Sequence, residues 1–108
     1  MALFSRPYLG GDVELADKRE KHIAEQHPDL LAAHGPKIAD PLAKPDKVRR
    51  STRIANTWLF SRWFDALSGG KHIVVVVVSQ YSSPRRYWII TAYVARRLTG
   101  GELVWKRN

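Results

Sequence analysis

The pattern of hydrophobic and polar positions changes near the middle of the chain, at the turn signal Pro45–Asp46. Before this turn, charged residues surround the apolar Ile23 at a spacing typical of a helix. After it, apolar and polar residues alternate or form short apolar runs, which is typical of β-strands. The sequence therefore predicts helices first and strands second.

Two helical stretches are predicted in the first half. Residues 16–26 form a charged helix, and residues 12–15 before it form a short strand or an extended entry. Residues 30–43 form a broken helical stretch, in which Pro36 sits in the first turn of a second helix. Pro41 is predicted to end or kink that helix.

Four strands and a short fifth one are predicted in the second half. The connections around residues 68–70 and 82–84 are rich in Ser, Gly and Pro and resemble hairpin turns, so the sheet should be largely antiparallel. The fifth strand should lie at an edge of the sheet. The predicted strands are Val48–Ala55, Thr57–Asp65, His72–Gln80, Arg86–Arg96 and Glu102–Trp105.

The predicted strands His72–Gln80 and Arg86–Arg96 indicate which faces of the sheet are buried. The consecutive valines Val74–Val78 indicate a central strand that is buried on much of both faces. In the next strand, Trp88, Ile90, Ala92 and Val94 share one face, expected under the helices, and Tyr87, Ile89, Thr91 and Tyr93 share the other. The hydroxyls of Thr91 and Tyr93 should stand about 6 to 7 Å apart on that second face, although both residue types also simply favour strands. The remaining large aromatics are expected to fill the core: Trp58, Phe60, Trp63 and Phe64.

Length and composition narrow the possible functions. A chain of 108 residues is expected to form one domain, with a helical part at about 14–44 and a sheet at about 48–105. The chain has no cysteine, which excludes a disulfide framework, a thiolate nucleophile and a cysteine zinc site. No signal peptide is recognisable, and the longest apolar run is too short to span a membrane. We therefore expect a soluble, cytoplasmic protein with no membrane partner.

The net charge of +8 is unevenly distributed. Residues 1–46 carry six Lys and Arg against eight Asp and Glu, whereas residues 47–108 carry twelve against two. Because guanidinium groups suit phosphate, a polyanion is the first partner to consider; the alternatives are an acidic protein partner and a merely solubilising surface. The cationic residues are Arg49, Arg50, Arg53, Arg62, Arg85, Arg86, Arg96, Arg97 and Arg107, with Lys47, Lys71 and Lys106.

His22 and His27 are the first candidates for chemistry, since an unperturbed imidazole pKa of about 6.5 allows proton transfer near neutrality. A spacing of five residues puts them roughly 140° apart on a helix, which argues against a two-histidine zinc site. Pro28 ends the helix, so the pair can converge on one cleft from the helix and the following loop. The alternative is that His22 is a surface residue and His27 a helix cap. His34 and His72 are interpreted as surface or boundary residues, and no metal or cofactor motif is recognised.

Taken together, several segments resemble the phage-type barnase-EndoU-colicin-RelE nuclease family over residues 13–105. The resemblance rests on their order and spacing, since no single segment is specific. In the related pattern the position of Asp29 is usually Glu, which leaves a role for Asp29 open. The segments are Val13–Leu15, Lys21–Ile23, His27–Leu30, Pro45–Ser51, Val74–Val78, Ile90–Tyr93 and Gly101–Trp105.

The resemblance implies an α+β fold in which N-terminal helices pack on a four- to five-stranded antiparallel sheet. It also implies a metal-independent endoribonuclease, a toxin or a phage or mobile-element effector, that uses the ribose 2′-hydroxyl as nucleophile and leaves a 2′,3′-cyclic phosphate. His22 would act as general base or acid with His27 as its partner, and Arg50 would hold the phosphate. The other expected site residues are Thr91, Tyr93 and Ser51 as hydrogen-bond donors, with Lys71, Arg49 and Arg53 as further RNA contacts.

Three classes of function remain open from the sequence. A ribonuclease should cleave RNA, tRNA included, without a cofactor. A non-catalytic nucleic-acid-binding module should bind RNA in a salt-dependent way and leave it intact. A protein-interaction domain should instead bind an acidic partner, such as an immunity protein or antitoxin, through its basic face.

Overall fold

One seven-stranded sheet organises the part of the chain that the computed structural model describes, which is residues 2–5, 12–26, 38–65, 67, 69–80 and 86–107. Its strand order is β1-β2-β6-β5-β4-β3-β7, so β5 lies at the centre and β7 at one edge. In chain order the elements are β1 (Ala2–Ser5), β2 (Asp12–Leu15), α1 (Asp17–Gln26), α2 (Ala39–Ala43), β3 (Lys47–Arg50), β4 (Thr57–Phe64), β5 (Lys71–Gln80), β6 (Arg86–Ala95) and β7 (Glu102–Lys106).

The predicted fold class, N-terminal helices packed on a four- to five-stranded antiparallel sheet, is wrong. The N-terminal strands β1 and β2 pair antiparallel, with Ala2 opposite Leu15. Strand β2 then runs parallel to β6, with Glu14 opposite Trp88, which makes the sheet mixed. Only two short helices, α1 and α2, lie within the described residues. Strand β2 coincides with the short strand or extended entry predicted at residues 12–15, but β1 has only four residues, too few for a periodic pattern to separate it from a loop.

The two helices follow local rules that the sequence displays. In α1, Asp17 and Glu20 lie in the first turn, where a negative charge is favoured by the helix dipole. Pro41 was predicted to end or kink a helix, but it is the third residue of α2. The first N–H groups of a helix have no partner within the helix, so proline is tolerated there. No described helix is long and apolar enough to cross a membrane.

Strands β4 to β7 lie within one residue of their predicted bounds, whereas β3 is shorter than predicted. It ends at Arg50 because a turn replaces the expected continuation to Ala55. The Ser51 hydroxyl accepts hydrogen bonds from the N–H groups of Arg53 and Ile54. Asn56 then has a φ of +58°, a left-handed conformation that Asn adopts more readily than most residues.

The core lies between the helices and one face of the sheet, which we call the helix-covered face. Ile23 from α1 and Leu42 from α2 pack there with the sheet residues. On β5, Ile73, Val75 and Val77 point into this core, yet Val74 on the opposite face is also fully buried, as the run of valines predicts. The sheet residues of the helix-covered face are Val13, Leu15, Val48, Phe60, Ile73, Val75, Val77, Ile89 and Ala92, with Trp58, Phe64, Tyr87 and Val94 packed against them.

A β-bulge in β6 corrects the predicted division of that strand into two faces. Val76 pairs with Thr91 but Val77 pairs with Ile89, so one extra residue is inserted at Ile90. Before the bulge, Tyr87 and Ile89 therefore face the core, where Trp88 was expected. After the bulge, Ala92 and Val94 face the core as predicted, and Thr91 and Tyr93 point away from it.

Candidate functional site

The second face of the sheet carries several polar side chains that can do chemistry, and we call it the polar face. Side chains alternate along a strand, so the residues between core residues point to this face. The strand registers place them in adjacent rows across β3, β4, β5 and β6. One row contains Trp63 and His72, the next contains Lys47, Ser61, Val74 and Tyr93, and the next contains Arg49, Leu59, Val76 and Thr91.

His72 is the only histidine that the described registers place on this face. Partial burial lowers its pKa, the positive charges of Lys47 and Arg49 lower it further, and Asp46 opposes them. Its Nδ1 atom is shielded from solvent and has no hydrogen-bond partner within the described part of the chain. The lowered pKa favours the neutral imidazole near pH 7, which is the form that can accept a proton.

Tyr93 lies beside this imidazole, and Thr91 lies one row farther from it on the same face. Tyr93 is opposite Val74, two positions along β5 from His72, so the two rings are diagonal neighbours. Diagonal neighbours have Cβ atoms about 7 to 8 Å apart, a separation that aromatic side chains can span. Thr91 follows two residues along β6 on the same face, and both residues are half-buried. The predicted pair of hydroxyls is thus present on one face, and Tyr93 is its member next to His72.

Arg49 is buried on the polar face, with 5% of its surface exposed. Its Nη1 group donates to the carbonyl oxygens of Thr99 at 2.7 Å and Gly100 at 2.8 Å. Among the described residues, its Nε and Nη2 have no hydrogen-bond partner. Arg49 therefore holds the loop between β6 and β7 against the sheet and places a fixed positive charge beneath the polar face.

This loop forms one wall of a cavity of about 310 Å³. Ser51 and Arg53, from the turn after β3, line the cavity, and Leu59 of the polar face is also part of its lining. Gly101 allows the close approach of the loop, since a Cβ there would lie 3.0 Å from the Arg50 carbonyl oxygen and its φ is +75°. The cavity is therefore lined partly by a residue in the same row as Thr91.

The structure brings together some of the sequence-predicted site residues and separates others. Thr91, Tyr93 and Arg49 share the polar face, and Ser51 and Arg53 line the adjoining cavity. Arg50 and Lys71 alternate with polar-face residues and so point to the other side.

The predicted histidine pair lies elsewhere or outside the description. His22 is exposed on α1, and its neighbour Ile23 packs into the core on the helix-covered side of the sheet. The structure therefore does not bring His22 together with Thr91 and Tyr93. His27, like Asp29, lies outside the described residues.

Two residues of this site, His72 and Lys47, were missed as site residues by the sequence analysis. His72 opens an apolar strand, where one histidine is indistinguishable from a boundary residue. Lys47 was one of twelve cations in its half of the chain. A signal did exist. Lys47 directly precedes the core residue Val48, and His72 directly precedes the core residue Ile73, so both point to the face of the sheet opposite the core.

No group of three or more histidine, aspartate or glutamate side chains within the described ranges could hold a metal ion. Comparisons with protein-family models, with curated proteins and with solved structures find no match to this chain.

Proposed function

We propose that the protein is an endoribonuclease that works without a metal ion and that the polar face is its active site. The observation that carries the proposal is His72, whose lowered pKa favours the neutral form, diagonal to Tyr93 and in the field of Lys47 and Arg49, with Thr91 farther along the same face. A base, hydroxyl donors and fixed positive charge are the groups that cleavage by the ribose 2′-hydroxyl requires. The cationic half of the chain supports a polyanionic substrate.

The chemistry assigns one role to each group. His72 takes the proton of the ribose 2′-hydroxyl, whose oxygen forms a bond to phosphorus. The bond from phosphorus to the 5′-oxygen breaks, and Tyr93 donates a proton to that leaving oxygen. Lys47 stabilises the negative charge that develops on the phosphoryl oxygens, and the Thr91 hydroxyl, two rows from His72, contacts a neighbouring part of the RNA. The products are a 2′,3′-cyclic phosphate and a free 5′-hydroxyl.

The proposal extends to the substrate, the cellular compartment and an inhibitor of the enzyme. Cellular RNA, tRNA included, is the substrate, and the cytoplasm is where such an enzyme meets it. An acidic immunity protein or antitoxin would neutralise the enzyme by covering the basic surface around the polar face.

The test is incubation of the purified protein with total RNA and tRNA in excess EDTA, followed by analysis of product ends. We expect 2′,3′-cyclic phosphate ends, and a loss of about 10²- to 10⁴-fold in rate for His72→Ala. His22→Ala is the matched control and should cleave as wild type, because His22 is exposed on the other side of the sheet.

Three results would overturn all or part of this proposal. Intact RNA that is nonetheless bound would indicate a nucleic-acid-binding module, and neither cleavage nor binding would favour a protein partner. Cleavage that survives in His72→Ala but is lost in His22→Ala or His27→Ala would move the active site to the histidine pair of the first half of the chain.

A further inference from the structure

Trp63 differs from the other aromatic residues of β4. Phe60 is fully buried, and Trp58 and Phe64 pack against the core. Trp63 points to the polar face, where it lies opposite His72 and keeps 40% of its surface exposed. The expectation that all four aromatics of this strand fill the core is therefore wrong for Trp63. Exposing a large aromatic ring to water costs hydrophobic free energy, so its position needs another explanation.

The exposed ring is fixed in place by contacts on several sides. Its Nε1 donates a hydrogen bond of 2.6 Å to Asp65 Oδ1, and its backbone N–H donates one of 2.7 Å to Asp46 Oδ2. The ring lies directly on Gly70, where an added Cβ would be 2.2 Å from the Trp63 Cζ2 atom. The imidazole of His72 meets it edge to face, with 4.9 Å between the ring centroids. Because the ring is already held in place, little conformational entropy is lost when a planar group stacks on it.

The charges around Trp63 are mixed: Asp46 and Asp65 accept its hydrogen bonds, and the cations Lys47 and Arg49 act on its ring neighbour His72. Lys47 and Arg49 lie on the polar face in the two rows next to that of Trp63 and His72, so cationic groups are available for the phosphates beside a stacked base. Exposed aromatics beside a cationic strip are the arrangement by which proteins bind single-stranded nucleic acid. We propose that Trp63 is a stacking platform for one unpaired base of the RNA, next to the scissile phosphate. This inference rests on the proposed function and assigns its substrate class, which is single-stranded RNA.

Binding is measured separately from cleavage with a fluorescein-labelled 2′-O-methyl oligonucleotide of mixed sequence, because methylation removes the nucleophile. We expect Trp63→Ala to raise the Kd for the single strand by about tenfold or more, the usual contribution of a stacked base. Trp63→Phe should recover most of the affinity. A fully paired duplex of the same sequence should show little dependence on Trp63, because its bases are already stacked.

Trp105→Ala is the matched control. Trp105 has a similar exposure, 37%, but lies on the edge strand β7 opposite Val48, on the helix-covered side. It should bind as wild type. Thermal melts of both alanine variants show whether each is folded.

Asp65→Ala distinguishes the effect of ring orientation on RNA binding from the effect of net charge on RNA binding. Asp65 is exposed, and its removal takes away the hydrogen-bond acceptor of the Trp63 indole while adding one unit of positive charge to the protein. Charge alone predicts tighter RNA binding, whereas loss of the ring's anchor predicts binding that is weaker by a few fold. We expect the weaker binding.

Folded Trp63→Ala that binds the single strand like wild type would overturn the stacking role while leaving RNA cleavage untouched. An equal loss for Trp105→Ala would overturn it as well, since the effect would not belong to the polar face. No binding of either RNA by the wild-type protein would overturn both this inference and the proposed function.

Discussion

The two faces of the sheet are built by the same strands but from different residue types. The helix-covered face is apolar, and Ile23 and Leu42 of the two helices complete it. On the polar face, Arg49 and Ser61 are buried among valines, and His72 and Tyr93 are half-buried. Burying polar groups costs free energy unless they are hydrogen-bonded, and Nε and Nη2 of Arg49 and Nδ1 of His72 are buried without a partner among the described residues. The helix-covered face thus forms the core, and the polar face is the one to which we assign the proposed binding and chemistry.

The largest effect on folding should come from the helix-covered face. Phe60→Ala should lower the free energy of unfolding by about 3–5 kcal/mol, because it leaves a cavity in the core. Thr91→Val on the polar face removes one hydroxyl without changing the volume and should cost about 1 kcal/mol or less. Urea titrations of the two variants give these values. Similar losses at both positions would mean that the two faces do not differ in this way.

Arg49 and Arg50 are adjacent in β3 and point to opposite faces of the sheet, so substitutions at these two positions compare the faces directly. Arg49→Met removes the donor to the carbonyls of Thr99 and Gly100. Hydrogen exchange of the β7 amides should then accelerate by about tenfold, the equivalent of roughly 1.4 kcal/mol in local opening. Arg50→Met is the control, since Arg50 is exposed and points to the other face. Acceleration in both variants would show that β7 depends on its pairing with β3 rather than on Arg49.

A smaller effect is expected from His72 of the polar face, which should make the free energy of unfolding depend on pH. Partial burial and the nearby charges of Lys47 and Arg49 lower the pKa of His72. The unfolded chain therefore takes up this proton at a higher pH than the folded chain. The stability that depends on neutral His72 is fully present above the ordinary imidazole pKa of about 6.5 and is lost as the pH falls toward the lowered value. His72→Asn should make the free energy of unfolding depend less on pH in this range. An unchanged slope would show that burial and the neighbouring charges do not shift the pKa of this imidazole.

The smallest effect should come from the ion pair that joins the parallel strands. Arg86 donates two hydrogen bonds, of 3.0 and 2.9 Å, to the Glu14 carboxylate, and these hydrogen bonds lower the pKa of Glu14. Glu14→Gln should reduce stability slightly, because exposed pairs are screened by water and salt. The comparison is made at low and high salt, where the difference between wild type and variant should shrink. A large loss at high salt would mean that the pair is needed to hold β2 on β6.

The sequence pattern located the second half of the fold much better than the first. Strands β4 to β7 follow from alternation and from the run Val74–Val78, because a buried face imposes period 2 on the chain. Strand β1 has no such pattern, and the parallel pairing of β2 with β6 depends on contacts between distant segments. These contacts cannot be deduced from local periodicity.

The candidate site was predicted only where alternation alone was sufficient. Thr91 and Tyr93 were placed on the correct face because they alternate with Ala92 and Val94. The bulge at Ile90, which moves Trp88 to the polar face, is not visible in the residue types. Choosing His72 over His22 required the register of three strands, since each histidine by itself is compatible with a surface role.

The most direct test of the polar face as the RNA site is an NMR titration of the ¹⁵N-labelled protein with an uncleavable single-stranded 2′-O-methyl RNA. We expect the backbone amides of Lys47, His72, Thr91 and Tyr93 and the Trp63 indole N–H to shift together and saturably, while α1 around His22 does not respond. Shifts concentrated on α1, or no shifts at RNA concentrations that saturate known ribonucleases, would contradict the assignment of the site to this face.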